Sequence, residues 1–173
     1  MNDGPALPQS LVETANGFDE RGLRDAFGCF ATGVTVVTTR DAAGRPVGMT
    51  VNSFSSVSLE PPLVLWCLAR DCDEFAAFDA APRFAISVLA ADQQDLSRRF
   101  ASRDPDRFDG VPIRDGAGGV PLIDGCQAWF ECRVAHRYPG GDHVILVGAV
   151  ERFAHGPGAP LVYYRSRYGT VVD

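Results

Sequence analysis

The residues best suited to chemistry in this sequence concentrate in Gly48-Met49-Thr50-Val51-Asn52-Ser53-Phe54-Ser55-Ser56-Val57-Ser58. Five hydroxyls and one amide stand there between apolar, β-favouring flanks. Small polar side chains at that density leave backbone N–H and C=O groups sterically open. A flat, heteroatom-rich ligand could lie against them and be read by main-chain hydrogen bonds. An ordinary Ser/Thr-rich turn between strands has the same composition. A second candidate is Gly140-Gly141-Asp142-His143, where a histidine at a glycine-rich corner can donate to a carboxamide or phosphate, or move a proton. A turn in which Asp142 caps its own backbone explains the same residues. Spacing alone does not make Asp142 and His143 a dyad, because neighbours at the start of a strand point apart. The third is Leu96-Ser97-Arg98-Arg99-Phe100-Ala101, whose arginines suit either a phosphate or a solvated helix end.

Other chemistries find less support. No G-x-S-x-G elbow, P-loop or G-x-G-x-x-G follows a strand, so a hydrolase or a Rossmann nucleotide site is disfavoured. His136, His143 and His155 lack carboxylates at ligand spacing, and no metal site is expected. The five cysteines, Cys29, Cys67, Cys72, Cys126 and Cys132, form no C-x-x-C pair and suggest no disulfide framework. Cys29, Cys67 and Cys132 read as small buried hydrophobes, and Cys72 lies among carboxylates that disfavour a thiolate. A net charge of −6 argues against nucleic-acid binding. No apolar run reaches the roughly 20 residues of a membrane span. The polar N-terminal stretch has no export signal, and a cytoplasmic location is expected.

The elements that must position these residues follow from periodicity. At 173 residues and 46% hydrophobic content, the chain suits one soluble domain. Residues 1–17 read as a loose arm and 18–173 as the folded unit. A helix is expected over Asp19 to Ala31, capped by Asp19 and stopped by Gly33. Strand Val34–Thr39 turns at Asp41–Gly44 into the hydroxyl-rich stretch. Pro61-Pro62 precedes strand Leu63–Leu68, and Asp73–Ala81 and Asp92–Ser102 read as helices around strand Phe84–Leu89. Residues 103–125, rich in Asp, Arg, Pro and Gly, suit a long loop. Ala128–Tyr138 and His143–Phe153 form a hairpin, and Leu161–Tyr164 is a last short strand. About six or seven hairpin-linked strands and three helices predict a mainly β, antiparallel barrel with peripheral helices.

In this order and spacing, several of these segments resemble the flavin reductase family with the FMN-binding split-barrel fold. They are Phe30-Ala31-Thr32-Gly33-Val34-Thr35-Val36-Val37-Thr38, Gly48 to Ser58 with Pro61-Pro62-Leu63-Val64, Phe84 to Leu89, Leu96-Ser97 with Phe100-Ala101, and Gly141-Asp142-His143. The family comprises reductase components of two-component flavin monooxygenases. The resemblance implies a split β-barrel and a homodimer with flavin at the subunit boundary. It implies an NAD(P)H:flavin oxidoreductase that passes hydride from nicotinamide C4 to flavin N5 of FMN or FAD. NADH or NADPH would be the co-substrate, and reduced flavin would diffuse to a separate oxygenase.

By the same resemblance, Thr50, Val51, Asn52, Ser53, Ser55 and Ser56 line the isoalloxazine. Cys67, Leu68, Ala69 and Arg70 border it, and Phe100 and Ala101 lie beside the ring or its tail. His143 serves the nicotinamide side, as an orienting donor first and a proton source second. Family members usually carry Ser or Thr at the flavin phosphate, where this chain has Asp71-Cys72-Asp73-Glu74. Three carboxylates there repel a phosphate unless Arg70, Arg98 or Arg99 compensates, although backbone N–H groups near Asp73 could still serve it; otherwise the phosphate sits elsewhere or flavin binds weakly. The acidic run also admits a second function: a split-barrel protein that no longer reduces free flavin. Such a protein would keep flavin as an oxygenase-like prosthetic group, or act on a planar metabolite without it.

Overall fold

The structure, a computed structural model, describes Gly17 and residues 19–171. The arm expected over residues 1–17 lies outside the described residues, its last glycine excepted. Asp19 caps α1 (Glu20–Phe27), its carboxylate accepting from the Arg21 N–H at 3.0 Å. The helix ends at Gly28 rather than at Gly33: the Gly28 N–H bonds to Arg24 O at 2.9 Å. Thr32–Gly33 instead extends as strand β1, paired with Tyr163 and Val162. Long-range pairing there overrides the helix stop that a lone glycine suggests. Helix α1 buries none of its residues, and Phe27 and Phe30 are 68% and 78% exposed.

The remaining strands are β2 (Thr35–Arg40), β3 (Pro46–Val51), β4 (Ser55–Leu59), β5 (Pro62–Ala69), β6 (Arg83–Val88), β7 (Ile113–Asp115), β8 (Pro121–Ile123), β9 (Ala128–Gly140), β10 (His143–His155), β11 (Leu161–Tyr164) and β12 (Arg167–Thr170). Helices α2 (Phe75–Ala80) and α3 (Gln94–Phe100) flank β6. Asp41 closes the β2–β3 hairpin, its carboxylate accepting from the Ala43 and Arg45 N–H groups at 2.9 Å each.

Seven strands form one antiparallel sheet in the order β3-β2-β6-β9-β10-β5-β4. Strands β3 and β4 are consecutive in the chain yet stand at opposite ends of that order. Only Asn52 to Phe54 joins them, a reach of at most about 15 Å. The sheet must therefore curl until its two edges approach, giving a barrel split between β3 and β4. The interior shows the same closure. Val51 of β3 and Val64 of β5 share a core with Trp66, Leu68, Phe78, Phe84, Ile86, Cys132, Val144 and Leu146. Alternation along β5 places Val64, Trp66 and Leu68 inside and Leu63, Leu65, Cys67 and Ala69 on the outer face.

Two readings from the sequence are corrected here. Residues 103–125 are not simply a loop: β7 and β8 form a hairpin that puts Val120, Leu122 and Ile123 into the core. The Trp129 indole N–H donates to Ile123 O at 2.6 Å. The charges that suggested a loop lie on the hairpin's outer side, where Arg114 pairs with Asp124 at 3.7 Å and covers the Trp129 ring. Strand β12 escapes a sequence reading because its turn uses Arg165 and Ser166 at φ 45° and 61°, with no Gly or Asn to announce it.

Candidate active site

The hydroxyl-rich stretch spans the split itself. It runs along the end of β3, crosses through Asn52 to Phe54, and enters edge strand β4. Hydrogen bonds fix its course. The Thr50 hydroxyl donates to Ser97 O of α3 at 2.7 Å, and the Ser53 hydroxyl accepts from the Cys67 N–H of β5 at 3.0 Å. Asn52, Ser55 and Ser56 stay exposed. Val51, Leu68 and Phe100 are buried, so only their main chain can face a ligand. Where a ligand is expected beside Phe100 and Ala101, the Phe100 ring itself is turned into the protein. It stands edge-on to Phe108, centroids 4.8 Å apart, and a Cβ on Gly48 would come within 2.9 Å of it. Ala101, just beyond, is exposed.

Pairing of β10 with β5 brings the second candidate to the same end of the barrel. His143 stands directly opposite Ala69, and Ile145 opposite Cys67. The Arg70 N–H donates to Asp142 O at 2.9 Å, and its guanidinium reaches Gly141 O at 3.4 Å. His143 and the strand end Cys67–Arg70 are thus one surface. Asp142 and His143 do not point apart: Nδ1 of the imidazole lies 2.8 Å from the Asp142 carboxylate. Alternation applies along an extended strand, whereas Asp142 sits in a two-residue turn beside Gly141 at φ 69°. The imidazole beside it holds the Asp142 carboxyl below its ordinary value, first through the hydrogen bond and then through charge. At neutral pH Asp142 is ionised and fixes the ring, with Nε2 left to meet a substrate.

Two of the three carboxylates in the acidic run meet arginines that the sequence did not single out, while Asp71 is exposed with no ion pair among the described residues. Glu74 pairs with Arg107 at 2.6 Å, and Asp73 lies 3.9 Å from Arg103. Arg98 instead meets Asp95 at 3.8 Å and lies over the Tyr168 ring. The compensating arginines come from the segment that read as a loop, so their distance in sequence concealed them. The helix start near Asp73 is short: α2 has six residues, and the Phe75 N–H is already bonded to Cys72 O. Among the described residues, no group of three or more His, Cys, Asp or Glu is placed to hold a metal ion.

The cysteines divide clearly. Burial pushes the Cys126 and Cys132 thiols up to about 12. Cys29, expected to be buried, is exposed, with the Arg165 guanidinium 3.4 Å from its sulfur. Iodoacetamide at about pH 8 should label Cys29 in the native protein and reach Cys126 and Cys132 only after unfolding. Peptide mass spectrometry checks this, and equal native labelling of Cys132 and Cys29 would contradict it.

The flavin reductase like domain matches residues 27–171. The chain belongs to that family. It is 48% identical over 163 residues to the FMN reductase (NADH) SmoA of Agrobacterium fabrum, covering 94% of this chain and 92% of that protein. It is 50% identical over 157 residues to a "Probable flavin reductase" of Rhizobium meliloti, covering 91% of this chain. There the chain spans only half of the relative's length. Among solved structures, the NADH:FAD oxidoreductase SgcE6 of Streptomyces globisporus, in complex with NAD and FAD fragments, superposes with a TM-score of 0.86. Identity is 41%, and the match covers 94% of this chain and 97% of that one. The split barrel of this flavin reductase-like chain is therefore the family's fold, and the seven-stranded order above describes it.

Proposed function

We propose that the chain is an NADH:flavin oxidoreductase that supplies reduced flavin to a separate flavin-dependent monooxygenase. The observation that carries this reading is the meeting of three elements at one end of the barrel. They are the hydroxyl-rich bridge across the split, the strand end Cys67–Arg70, and the His143–Asp142 pair. Relatives named as FMN reductase (NADH) and as reductase subunit HsaB of a flavin-dependent monooxygenase support it.

The donor set suits a flavin. Asn52, Ser55 and Ser56 are exposed and uncharged, matching the carbonyl and imide edge of an isoalloxazine. Main-chain groups of Thr50 to Ser53 and of Cys67 to Arg70 would hold that edge, and Arg70 and Arg103 would face the phosphate side with Asp73 and Ala101. Bound flavin would supply the two-electron-accepting ring. The protein's own part is placement. His143, oriented by Asp142, would donate from Nε2 to a nicotinamide carboxamide and so fix the donor ring. Glu74 is neutralised by the largely buried Arg107, and Arg103 lies near Asp73, so the acidic run presents less charge to a phosphate than its sequence suggests.

The reading includes a homodimer and a cytoplasmic setting, with residues 18–173 as the working domain and 1–17 as an appendage. The half-buried outer-face residues Leu63, Leu65 and Ile145 offer apolar area to a second copy. Pure protein mixed with NADH and FMN or FAD tests the whole. NADH absorbance should fall at a rate that scales with added flavin, and sedimentation should give about twice the chain mass. No consumption with either flavin sinks the reading, and a yellow protein after gel filtration would point to a resident flavin instead.

A further inference from the structure

We propose that Arg107 is a positioning residue for flavin binding, acting as a clasp that sets the main chain of β3 at the edge of the split. The proposal rests on the flavin-binding reading above. Arg107 lies in a segment whose composition suggests a solvated loop, yet it is 8% exposed. Its guanidinium makes three contacts to three parts of the chain. Nη1 donates to Gly48 O of β3 at 3.0 Å and meets the Glu74 carboxylate at 2.6 Å, while Nε donates to Asp104 O at 2.9 Å. Glu74 immediately precedes α2 and is itself largely buried.

The placement gives the contact its meaning. Strand β3 ends the sheet order, so beyond it no strand supplies hydrogen-bond partners. A carbonyl that points away from β2 must find another donor, and at Gly48 that donor is Arg107. Period-two alternation directs the main-chain groups of Thr50 toward the same open edge, two residues further on. These groups begin the stretch proposed to read the flavin. Gly48 is held from a second side as well, because Phe100 and Phe108 leave no room for a Cβ. The clasp therefore fixes where β3 stops being sealed by protein and starts being open to a ligand. Arginine suits the task because Nη1 meets the Gly48 carbonyl and the Glu74 carboxylate while Nε, on the same rigid plane, holds Asp104 O, and the single ammonium of lysine cannot make all three contacts at once.

Arg107→Lys keeps the charge and removes the fork. In steady-state assays with NADH and either FMN or FAD, its KM for flavin should rise about tenfold, with kcat within about twofold and KM for NADH unchanged. A merely structural role would lower the melting temperature without raising the flavin KM selectively. Glu74→Gln, which keeps side-chain shape, should raise the flavin KM in the same direction and serves if Arg107→Lys does not fold. The double variant should be no worse than the poorer single one, because the two side chains act as one unit. An unchanged flavin KM in the folded variants overturns the clasp. The wild-type protein separates the two failures: if it neither oxidises NADH with flavin nor quenches flavin fluorescence, the functional reading itself fails.

Discussion

His143→Ala is expected to slow flavin-dependent NADH oxidation by about 10- to 100-fold, the size of effect that a displaced donor ring produces. The melting temperature should stay within about 2 °C, because the imidazole is part exposed and its one side-chain partner is the exposed carboxylate of Asp142. Stopped-flow reduction of flavin isolates the step, and an unchanged rate would remove His143 from the mechanism. Asp142→Ala should give a smaller loss, felt mainly as a higher KM for NADH, since it frees the ring without deleting Nε2. The sign of any pH effect through this pair follows from the lowered Asp142 value. The contact is intact above the ordinary carboxylate range and is lost only as pH falls through the depressed value. Activity between about pH 6 and 8 should therefore carry no step from Asp142.

Gly148→Ala is expected to be the most damaging single-methyl change in the barrel. Gly148 sits inside β10, opposite Val64 of β5 and Val134 of β9, where the β9 register shifts. A Cβ there would lie 2.5 Å from the Phe84 ring and 2.8 Å from Cys132 Cβ. Neither neighbour can retreat, because Phe84 stands edge-on against Trp66 with centroids 5.8 Å apart, and all three residues are buried. Overpacking of this kind costs about 3 kcal/mol. For a chain of this size, that lowers the melting temperature by about 6–12 °C. Gly33→Ala is the control, since nothing lies within 4 Å of a Cβ there, and it should melt like the parent. Equal melting of the two variants would show that the Phe84 ring moves aside freely.

Much of the fold was legible in sequence because its causes are local. Alternation marked β2 and β9, with β10 as the hairpin partner of β9; short apolar runs marked β5 and β6, Asp41 marked a hairpin, and Asp19 marked the start of a helix. What escaped depends on partners elsewhere. Thr32–Gly33 is a strand because Val162 and Tyr163 pair with it, and β8 belongs to the core because Ala85 and Trp129 lie against it. The ring of Phe100 fills, together with that of Phe108 from the following segment, the space that Gly48 leaves, a packing that no short-range pattern announces.

The site divides along the same line. The hydroxyl density of residues 50–58 and the Gly-Gly-Asp-His corner are properties of composition and short-range turn chemistry, so the chain alone announced them. Their meeting is not: it needs the register that sets His143 against Ala69 and the hydrogen bond from Cys67 back to Ser53. The neutralisation of Glu74 was likewise decided by tertiary structure. Arg107 reaches Glu74 and a carbonyl 59 residues earlier in the chain only because the sheet curls and leaves β3 as an open edge. Residue type and spacing named the groups able to touch a ligand. Closure of the barrel, which buries apolar faces drawn from both ends of the chain, determined which of them stand together.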